Sequence, residues 1–218
     1  MSSRPKVVVD AGMNLGVFSL FVRRFLPSTT CLAFEPAPEV LHMAVRSLRE
    51  ANVPVELHGG AELPKIADDG QVHVFQMALS DRSGTRSFTH FPQSPANSAL
   101  SEHRPEQRWP EGAVPQSVEL QVTCGRLGDV LEGFSDQGVE VFLKVDVEGA
   151  EVDLLRGLEP HWAQISAVAM EVTKASLQEV LSLCQQHGLE LEHFKQPSAG
   201  AQDVEELYMV YGCRDVNA

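Results

Sequence analysis

Cysteines and positive charges are few in this sequence. Its four cysteines are widely scattered without a C-x-x-C pair, which predicts free thiols in a reducing compartment and neither a disulfide framework nor a zinc site. Lysine and arginine number 17 against 30 aspartates and glutamates, for a formal net charge of −13. Because phosphate binding depends on a positive face, we expect no nucleic-acid partner.

Long hydrophobic runs are also missing. No stretch is long and apolar enough to span a membrane, and the N-terminus lacks the charged-then-apolar layout of a signal peptide. We therefore expect a cytoplasmic protein with no membrane partner. The 218 residues contain no internal repeat or linker, which predicts a single domain over residues 1–218 with a sizeable core.

What is present first is a strand, a glycine-rich turn and a helix. Residues 6–16 read K-V-V-V-D-A-G-M-N-L-G, and apolar residues at helical spacing follow. Three consecutive valines are typical of a strand that is buried on both faces of a parallel sheet. Gly12, Asn14 and Gly16 would let a ligand approach the backbone, although a tight turn without a ligand is the alternative. The pattern predicts the first half of a nucleotide-type α/β unit.

Asp10, at the end of this first strand, indicates which ligand the turn would hold. The fingerprint is D-x-G-x-N-x-G instead of G-x-G-x-x-G, and an aspartate at that point would repel a pyrophosphate. It would suit a cofactor with an ammonium group and no phosphate, such as S-adenosylmethionine. An NAD-dependent oxidoreductase is the disfavoured alternative, because the third glycine is also missing.

The next predicted strand, over residues 29–34, ends in a second carboxylate. Glu35 follows it, at the position where α/β folds of this kind hold a ribose diol. The competing interpretation is that Glu35 caps the helix that begins near Ala37. We favour the ribose, because the glycine-rich turn precedes it in the chain.

Farther along, further strands and one irregular stretch are predicted. A strand covers residues 72–79, an edge strand covers 85–91, and residues 189–194 and 206–211 form a closing antiparallel hairpin. Residues 92–115 show no apolar periodicity and contain five prolines. We interpret them as a lid or substrate loop.

Residues 141–151, reading V-F-L-K-V-D-V-E-G-A-E, are the other informative stretch. Lys144 lies inside a buried strand and must reach the edge of the sheet or meet a carboxylate, because an unpaired buried ammonium is costly. Strand alternation puts Lys144 and Asp146 on one face. Glu148 opens the next helix, where a favourable interaction with the helix dipole is the alternative explanation. Glu171, near the end of a later strand, is expected at the same sheet edge and as the partner of Lys144.

The order of these parts resembles the FkbM-type family of S-adenosylmethionine-dependent methyltransferases. D-A-G-M-N-L-G, F-E-P, A-L-S-D-R-S-G and L-K-V-D-V-E-G-A-E carry the resemblance from Val7 to about Val172. It implies an α/β class I methyltransferase fold, a Rossmann-like three-layer sandwich. Its mostly parallel seven-stranded sheet would have the order 3-2-1-4-5-7-6 and an antiparallel last strand. It also implies O-methyl transfer to a hydroxyl of a small molecule, sugar or natural-product intermediate.

The resemblance assigns roles to the candidate residues. Those expected to bind S-adenosylmethionine are Asp10 at its amino-acid end, Gly12, Asn14 and Gly16 through their backbone, Glu35 at the ribose and Ala78 beside the adenine. Asp146, Glu148 and Glu171 are candidates to bind or deprotonate the acceptor, and Lys144 would set their charge state. Asp146 and Glu171 would alternatively ligate a divalent metal, but no histidine joins them at ligand spacing, so no metal is predicted.

Two departures from the family pattern bear on these roles. Met13 stands where alanine is common, and it would either crowd the cofactor or pack beneath it. Only five residues precede Lys6, where family members often carry an extra helix. This suggests either that the helix is absent or that the chain is a domain of a larger multienzyme, with a carrier. A small-molecule acceptor is the expected partner, and a catalytically inactive cofactor-binding or scaffold domain is the alternative to an enzyme.

Overall fold

A computed structural model describes residues 6–59, 70–103, 115–134, 139–196 and 206–214. The strands are β1 (Lys6–Ala11), β2 (Thr30–Phe34), β3 (Val55–His58), β4 (Val72–Phe75), β5 (Ala78–Leu79), β6 (Gly84–His90), β7 (Ala99–Leu100), β8 (Val118–Gly125), β9 (Glu140–Val145), β10 (Ile165–Thr173), β11 (Glu190–Lys195) and β12 (Leu207–Cys213). The α-helices are α1 (Val17–Phe25), α2 (Pro38–Glu50), α3 (Leu127–Glu132), α4 (Glu151–Arg156) and α5 (Leu177–Gln186). Short 3-10 helices cover Pro95–Asn97, Ser101–His103 and His161–Gln164.

Eight strands form the central sheet, in the order β11-β12-β10-β9-β1-β2-β4-β3. β9, β1, β2, β4 and β3 run parallel to one another and to β10, while β12 is antiparallel to both β10 and β11. The mostly parallel sheet and its antiparallel last strand agree with expectation. The expected count of seven is wrong, because Val55–His58 pairs with β4 as a further parallel strand at the sheet edge.

Helices cover both faces of this sheet, because successive strand residues point into two different cores. On one face, Val8 and Ala33 pack with Leu41 of α2. On the other, Val9 packs in a larger core that includes Leu154 of α4 and residues of α3 and α5. The three valines of β1 are at most 5% exposed, which confirms the prediction of a strand buried on both faces and gives a three-layer α/β architecture.

A second sheet of four strands, in the order β5-β8-β6-β7, was not expected. The predicted strand over 72–79 is broken, because Met77 N–H donates to the Phe75 carbonyl at 3.0 Å and β5 leaves to pair with β8. The prediction of an edge strand over 85–91 is wrong in its placement. β6 lies between β8 and β7, inside this second sheet.

The second sheet packs on the edge of the central sheet where the parallel strands end. Phe88 of β6 and Leu100 of β7 share a small core with Ala37, which precedes α2, and with Ala150, which precedes α4. Part of the predicted substrate loop therefore belongs to this sheet. Residues 104–114 of that loop lie outside the described residues.

The cysteines and the helix lengths can be compared with the expectations from composition. Cys31, Cys124 and Cys184 are buried free thiols and Cys213 is an exposed one, as predicted. Among the helices that the structure describes, none combines the length and the hydropathy needed to cross a bilayer.

Arg214 holds the closing hairpin against the rest of the domain. Its guanidinium donates to the backbone carbonyls of Ile165 at 2.7 Å, His187 at 2.6 Å and Trp162 at 2.6 Å. Its own backbone N–H donates to the Ser166 carbonyl at 2.9 Å. One side chain thus ties the end of β12 to the start of β10 and to the end of α5.

We predict that Arg214→Met lowers the free energy of unfolding by about 1.5–3 kcal/mol, because a charged donor is removed from three carbonyls. Urea denaturation followed by circular dichroism measures this change. Arg46→Met is the matched control, since the Arg46 side chain is 80% exposed and, within the described residues, forms its ion pair with Glu50 one helical turn away. It should leave the transition midpoint in place. Equal midpoints for the two variants would contradict the role given to Arg214.

Candidate functional site

A cavity opens where β1, β2 and β9 end, beneath the second sheet. Its walls come from the ends of these three strands, from the turn that leads into β5, and from the second sheet with the segment before β7. The lining residues are Ala11, Gly12, Asn14, Phe34, Glu35, Pro36, Met77, Ala78, Leu79, Phe88, Pro95, Ala96, Ser98, Leu100, Asp146, Val147, Glu148 and Ala150.

The predicted site residues divide into two groups around this cavity. Those that line it are Gly12, Asn14, Glu35, Ala78, Asp146 and Glu148. The remaining four, Asp10, Gly16, Lys144 and Glu171, lie behind or beside its walls. The structure therefore brings six of the ten predicted residues together in one cavity wall, but the sequence did not separate the residues that face the cavity from those that lie behind it.

Packing and hydrogen bonds within the protein fix the shape of the glycine-rich turn. Gly12 has a φ of 76°, and a Cβ at this position would overlap the backbone carbonyl of Asp146. Gly16 has a φ of 79° and packs against Ala44 of α2. The N–H groups of Gly12 and Asn14 donate to the Phe34 carbonyl and to Glu35 Oε2. Both N–H groups are thus already engaged within the protein, and the predicted backbone contact of these residues with a cofactor stays a prediction.

Met13 packs beneath the cavity. It is 3% exposed and belongs to the core between β1, β2 and α2. Of the two alternatives for this departure from the family pattern, the structure shows packing, and Met13 does not narrow the cavity.

Asp10 lies behind the cavity wall, where its side chain is fully buried. Its Oδ2 accepts a hydrogen bond from the Ser19 hydroxyl at 2.7 Å, and its Oδ1 lies 3.1 Å from the Lys144 ammonium. Burial raises the pKa of Asp10, while Lys144 and Ser19 act in the opposite direction. In this structure Asp10 meets a lysine of the protein, at the place where the sequence suggested the ammonium of a ligand.

Lys144 was predicted to reach the sheet edge or to meet a carboxylate, and it does meet carboxylates, but Glu171, the partner named for it, was wrong. Its Nζ lies between Asp10, at 3.1 Å, and Asp146, at 3.6 Å, and donates to the Gly12 carbonyl at 2.8 Å. Asp10 and Lys144 face each other across β1 and β9. Glu171 instead accepts a hydrogen bond from the Gln196 side chain at 2.7 Å.

Glu35 holds the backbone at the start of α2, while its interpretation as the ribose ligand stays a prediction. Its Oε1 accepts the Ala37 backbone N–H at 2.9 Å, immediately before α2, and its Oε2 accepts the Asn14 N–H at 3.0 Å. It also lines the cavity. Burial raises the pKa of Glu35 to about 7, although both backbone N–H donors oppose the change.

Three carboxylates gather on the opposite side of the cavity. Oxygens of Asp146, Glu148 and Glu171 all lie within 4.8 Å of one another. Glu148 lies in the turn between β9 and α4, where its φ of 58° is in the left-handed region. Carboxylate oxygens are donors that hard divalent cations accept, so these three residues fit either acid–base chemistry or a metal.

The described part of the substrate loop is anchored beside this turn. His103 Nε2 lies 3.0 Å from Asp153 Oδ2, and the His103 carbonyl packs against Gly149, where a Cβ would approach it to 2.8 Å. Arg86 of β6 donates to Glu102 at 2.6 Å. The segment before residue 104 is thereby fixed over the β9–α4 turn.

Sequence reasoning missed the apolar wall that the second sheet supplies. Phe88, Pro95, Ala96 and Leu100 line the cavity opposite the ends of the central strands. β7 has only two residues, which is too short to show alternation, and the pairing of β6 with β8 is non-local. The prolines of the loop were the only local signal.

Comparisons with known proteins agree with this geometry. The profile of the methyltransferase FkbM domain matches residues 10–193. The chain is 36% identical over 192 residues to methyltransferase sdnD of Sordaria araneosa, covering 78% of this chain and 67% of that protein. It is 28% identical over 226 residues to 31-O-demethyl-FK506 methyltransferase FkbM of Streptomyces tacrolimicus, covering 92% and 79%.

Among solved structures, methyltransferase FkbM from Methylobacillus flagellatus matches with a TM-score of 0.51 at 13% identity, covering 94% of this chain and 43% of that one. This likeness concerns the fold. The chain spans about two thirds of the length of two relatives, 67% of methyltransferase sdnD and 64% of methyltransferase 1 of Beauveria bassiana. From the profile match and these relatives, the chain belongs to the FkbM family of methyltransferases, and its fold is that of class I methyltransferases.

Proposed function

We propose that this protein transfers a methyl group from S-adenosylmethionine to a hydroxyl oxygen of a small molecule, sugar or natural-product intermediate. The observation that carries the proposal is the placing of carboxylates in one cavity. Glu35 stands at the end of β2, and Asp146 and Glu148 stand at the end of β9, on either side of β1. A relative is named for its action on 31-O-demethyl-FK506, which supports oxygen as the acceptor atom.

The side of the cavity near Glu35 fits the cofactor. Each Glu35 oxygen accepts one backbone N–H, and a carboxylate oxygen has a further lone pair with which to accept a ribose hydroxyl. Phe34, Met77 and Ala78 give this side an apolar lining that suits an adenine ring. When bound, S-adenosylmethionine supplies a methyl group that is already activated by its sulfonium.

The protein must then align the acceptor oxygen and remove its proton. Asp146 and Glu148 line the cavity on the side of β9, so both are placed to accept that proton. Lys144, 3.6 Å from Asp146, orients this carboxylate and offsets the negative charge collected there. Glu171, beside the other two carboxylates, would support them through the same cluster.

We predict that Glu35→Gln weakens binding of S-adenosylhomocysteine by about 1–3 kcal/mol, the scale of a charge-assisted hydrogen bond. Because the pKa of Glu35 is about 7, the affinity of the unmodified protein should rise between about pH 6 and pH 8, as the carboxylate ionises and accepts both hydroxyls. The variant should lose this pH dependence. Isothermal titration calorimetry measures both effects.

Glu39→Gln is the matched control for Glu35, since Glu39 is an exposed residue in the first turn of α2. It should bind S-adenosylhomocysteine as the unmodified protein does. Normal binding by Glu35→Gln, or measurable binding of NAD, would remove the basis for the cofactor assignment.

For the chemical step, we expect Asp146→Asn or Glu148→Gln to reduce turnover by roughly 10²–10⁴, the usual contribution of a general base. Each variant keeps the shape of the side chain, so both should still fold and bind S-adenosylhomocysteine. Single-turnover assays with methyl-labelled cofactor and a panel of hydroxylated acceptors would measure the loss. Glu132→Gln, at an exposed position of α3, is the control. Full activity in both cavity variants would show that neither carboxylate is the base.

The carboxylate cluster also permits a test of metal dependence. If Asp146 and Glu148 act directly on the acceptor, methyl transfer at room temperature should survive exhaustive chelation. The measurement is the initial rate before and after chelation, with magnesium and manganese added back. A rate that is lost on chelation and restored by either ion would make Asp146, Glu148 and Glu171 metal ligands.

A further inference from the structure

The pairing of β3 with β4 brings two histidines and a glutamate together, far along the sheet from β9. Glu56 lies opposite His73 in the register of the two strands. His58 follows Glu56 by two residues and therefore projects from the same face of β3. His58 Nε2 lies 3.0 Å from His73 Nδ1, and Glu56 Oε2 lies 3.4 Å from the same His73 nitrogen.

These distances match the spacing of ligands around one metal ion. The ligand atoms of Glu56, His58 and His73 all lie within 4.8 Å of one another. A tetrahedral zinc ion with bonds of about 2.0–2.1 Å separates neighbouring ligand atoms by about 3.3–3.4 Å. The two measured separations of 3.0 and 3.4 Å are close to that value.

The chemistry of this group differs from that of the other clusters of the described chain. Glu102, His103 and Asp153 surround the Arg86 guanidinium, which lies 2.6 Å from Glu102 and 3.6 Å from Asp153. In the cavity, Lys144 lies beside Asp146. Protein cations thus already offset those carboxylates. The edge-strand group instead offers two imidazoles and one carboxylate, a donor set typical of zinc with an open fourth position.

The surroundings also hold the ligands in place. His73 is 2% exposed, so its ring position is fixed by packing. The His58 ring stacks on Phe75 with centroids 4.7 Å apart. Only Glu56, whose side chain is 55% exposed, must be ordered when the ion arrives.

We propose that Glu56, His58 and His73 bind one divalent transition-metal ion, with zinc as the best match, and that this ion clamps strand β3 to β4. The site is independent of the proposed methyl transfer, because none of its three ligands lines the cavity. β3 is the edge strand and pairs with β4 alone in the described sheet. A metal bridge therefore adds a second link where the sheet has only one ladder of hydrogen bonds.

Zinc titration of the metal-stripped full-length protein tests the proposal, with calorimetry and thermal unfolding as readouts. At free zinc about 100-fold above the dissociation constant, we expect Tm to rise by roughly 5–10 °C. Cobalt(II) in place of zinc should give the visible absorption of a four-coordinate site. His58→Gln should weaken binding at least tenfold and abolish the rise in Tm, and Glu56→Gln should weaken it about tenfold. Since His73 is buried, His58→Gln is the deciding variant.

Three control variants locate the effect. His193→Gln changes an exposed histidine of β11, Cys213→Ser removes the exposed thiol, and Asp146→Asn alters the carboxylate cluster of the cavity. All three should keep the zinc-dependent rise in Tm. A rise that persists in His58→Gln, that disappears in one of the controls, or that never occurs in the unmodified protein would overturn the proposal.

Discussion

The close approach of β9 to the turn after β1 is the constraint on which the cavity depends. The Asp146 N–H donates to the Ala11 carbonyl at 3.0 Å, and the Asp146 carbonyl occupies the space that a Cβ on Gly12 would need. The Lys144 ammonium closes the same junction by donating to the Gly12 carbonyl at 2.8 Å. The two most informative stretches of the sequence are therefore one structural unit. The side of the cavity that fits the cofactor and the side that carries Asp146 cannot move apart without breaking it.

Local patterns made much of this fold predictable, and non-local pairing accounts for what was missed. The valine run of β1 and the amphipathic residues of α2 needed no knowledge of distant neighbours. Lys144 shows the limit, because its place in a buried strand indicated the sheet edge or a carboxylate partner and did not decide which carboxylate. The strand register selects Asp10 over Glu171, because Lys144 lies opposite Asp10 on β1 but opposite Ala169 on β10. The departure of β5 from the central sheet depends likewise on β8, more than 35 residues later, and no local signal announces it.

Glu35 connects the energetics of the fold to its proposed role. Its pKa rises from 4.5 to about 7 on folding, chiefly through burial. Between those values the folded protein holds a proton that the unfolded chain has lost, so this residue's contribution to stability falls as pH rises through that window. A glutamine would avoid that cost while still filling the site. A carboxylate kept at a cost to stability, in the wall of a cavity, is the pattern expected of a functional residue.

Lys144 is also a charged residue in a buried position, but here the structure gives a structural reason for the charge. A leucine would suit a buried strand better, which makes the lysine look functional, yet the structure shows a prior need for it. Asp10 is fully buried, and Lys144 is the cation that lies 3.1 Å from it. Removing one partner of a buried ion pair leaves the other uncompensated and is strongly destabilising. Lys144 is thus needed to stabilise the buried Asp10, whether or not it also influences Asp146. A loss of activity on replacing Lys144 is therefore not, by itself, evidence that the lysine takes part in the chemistry.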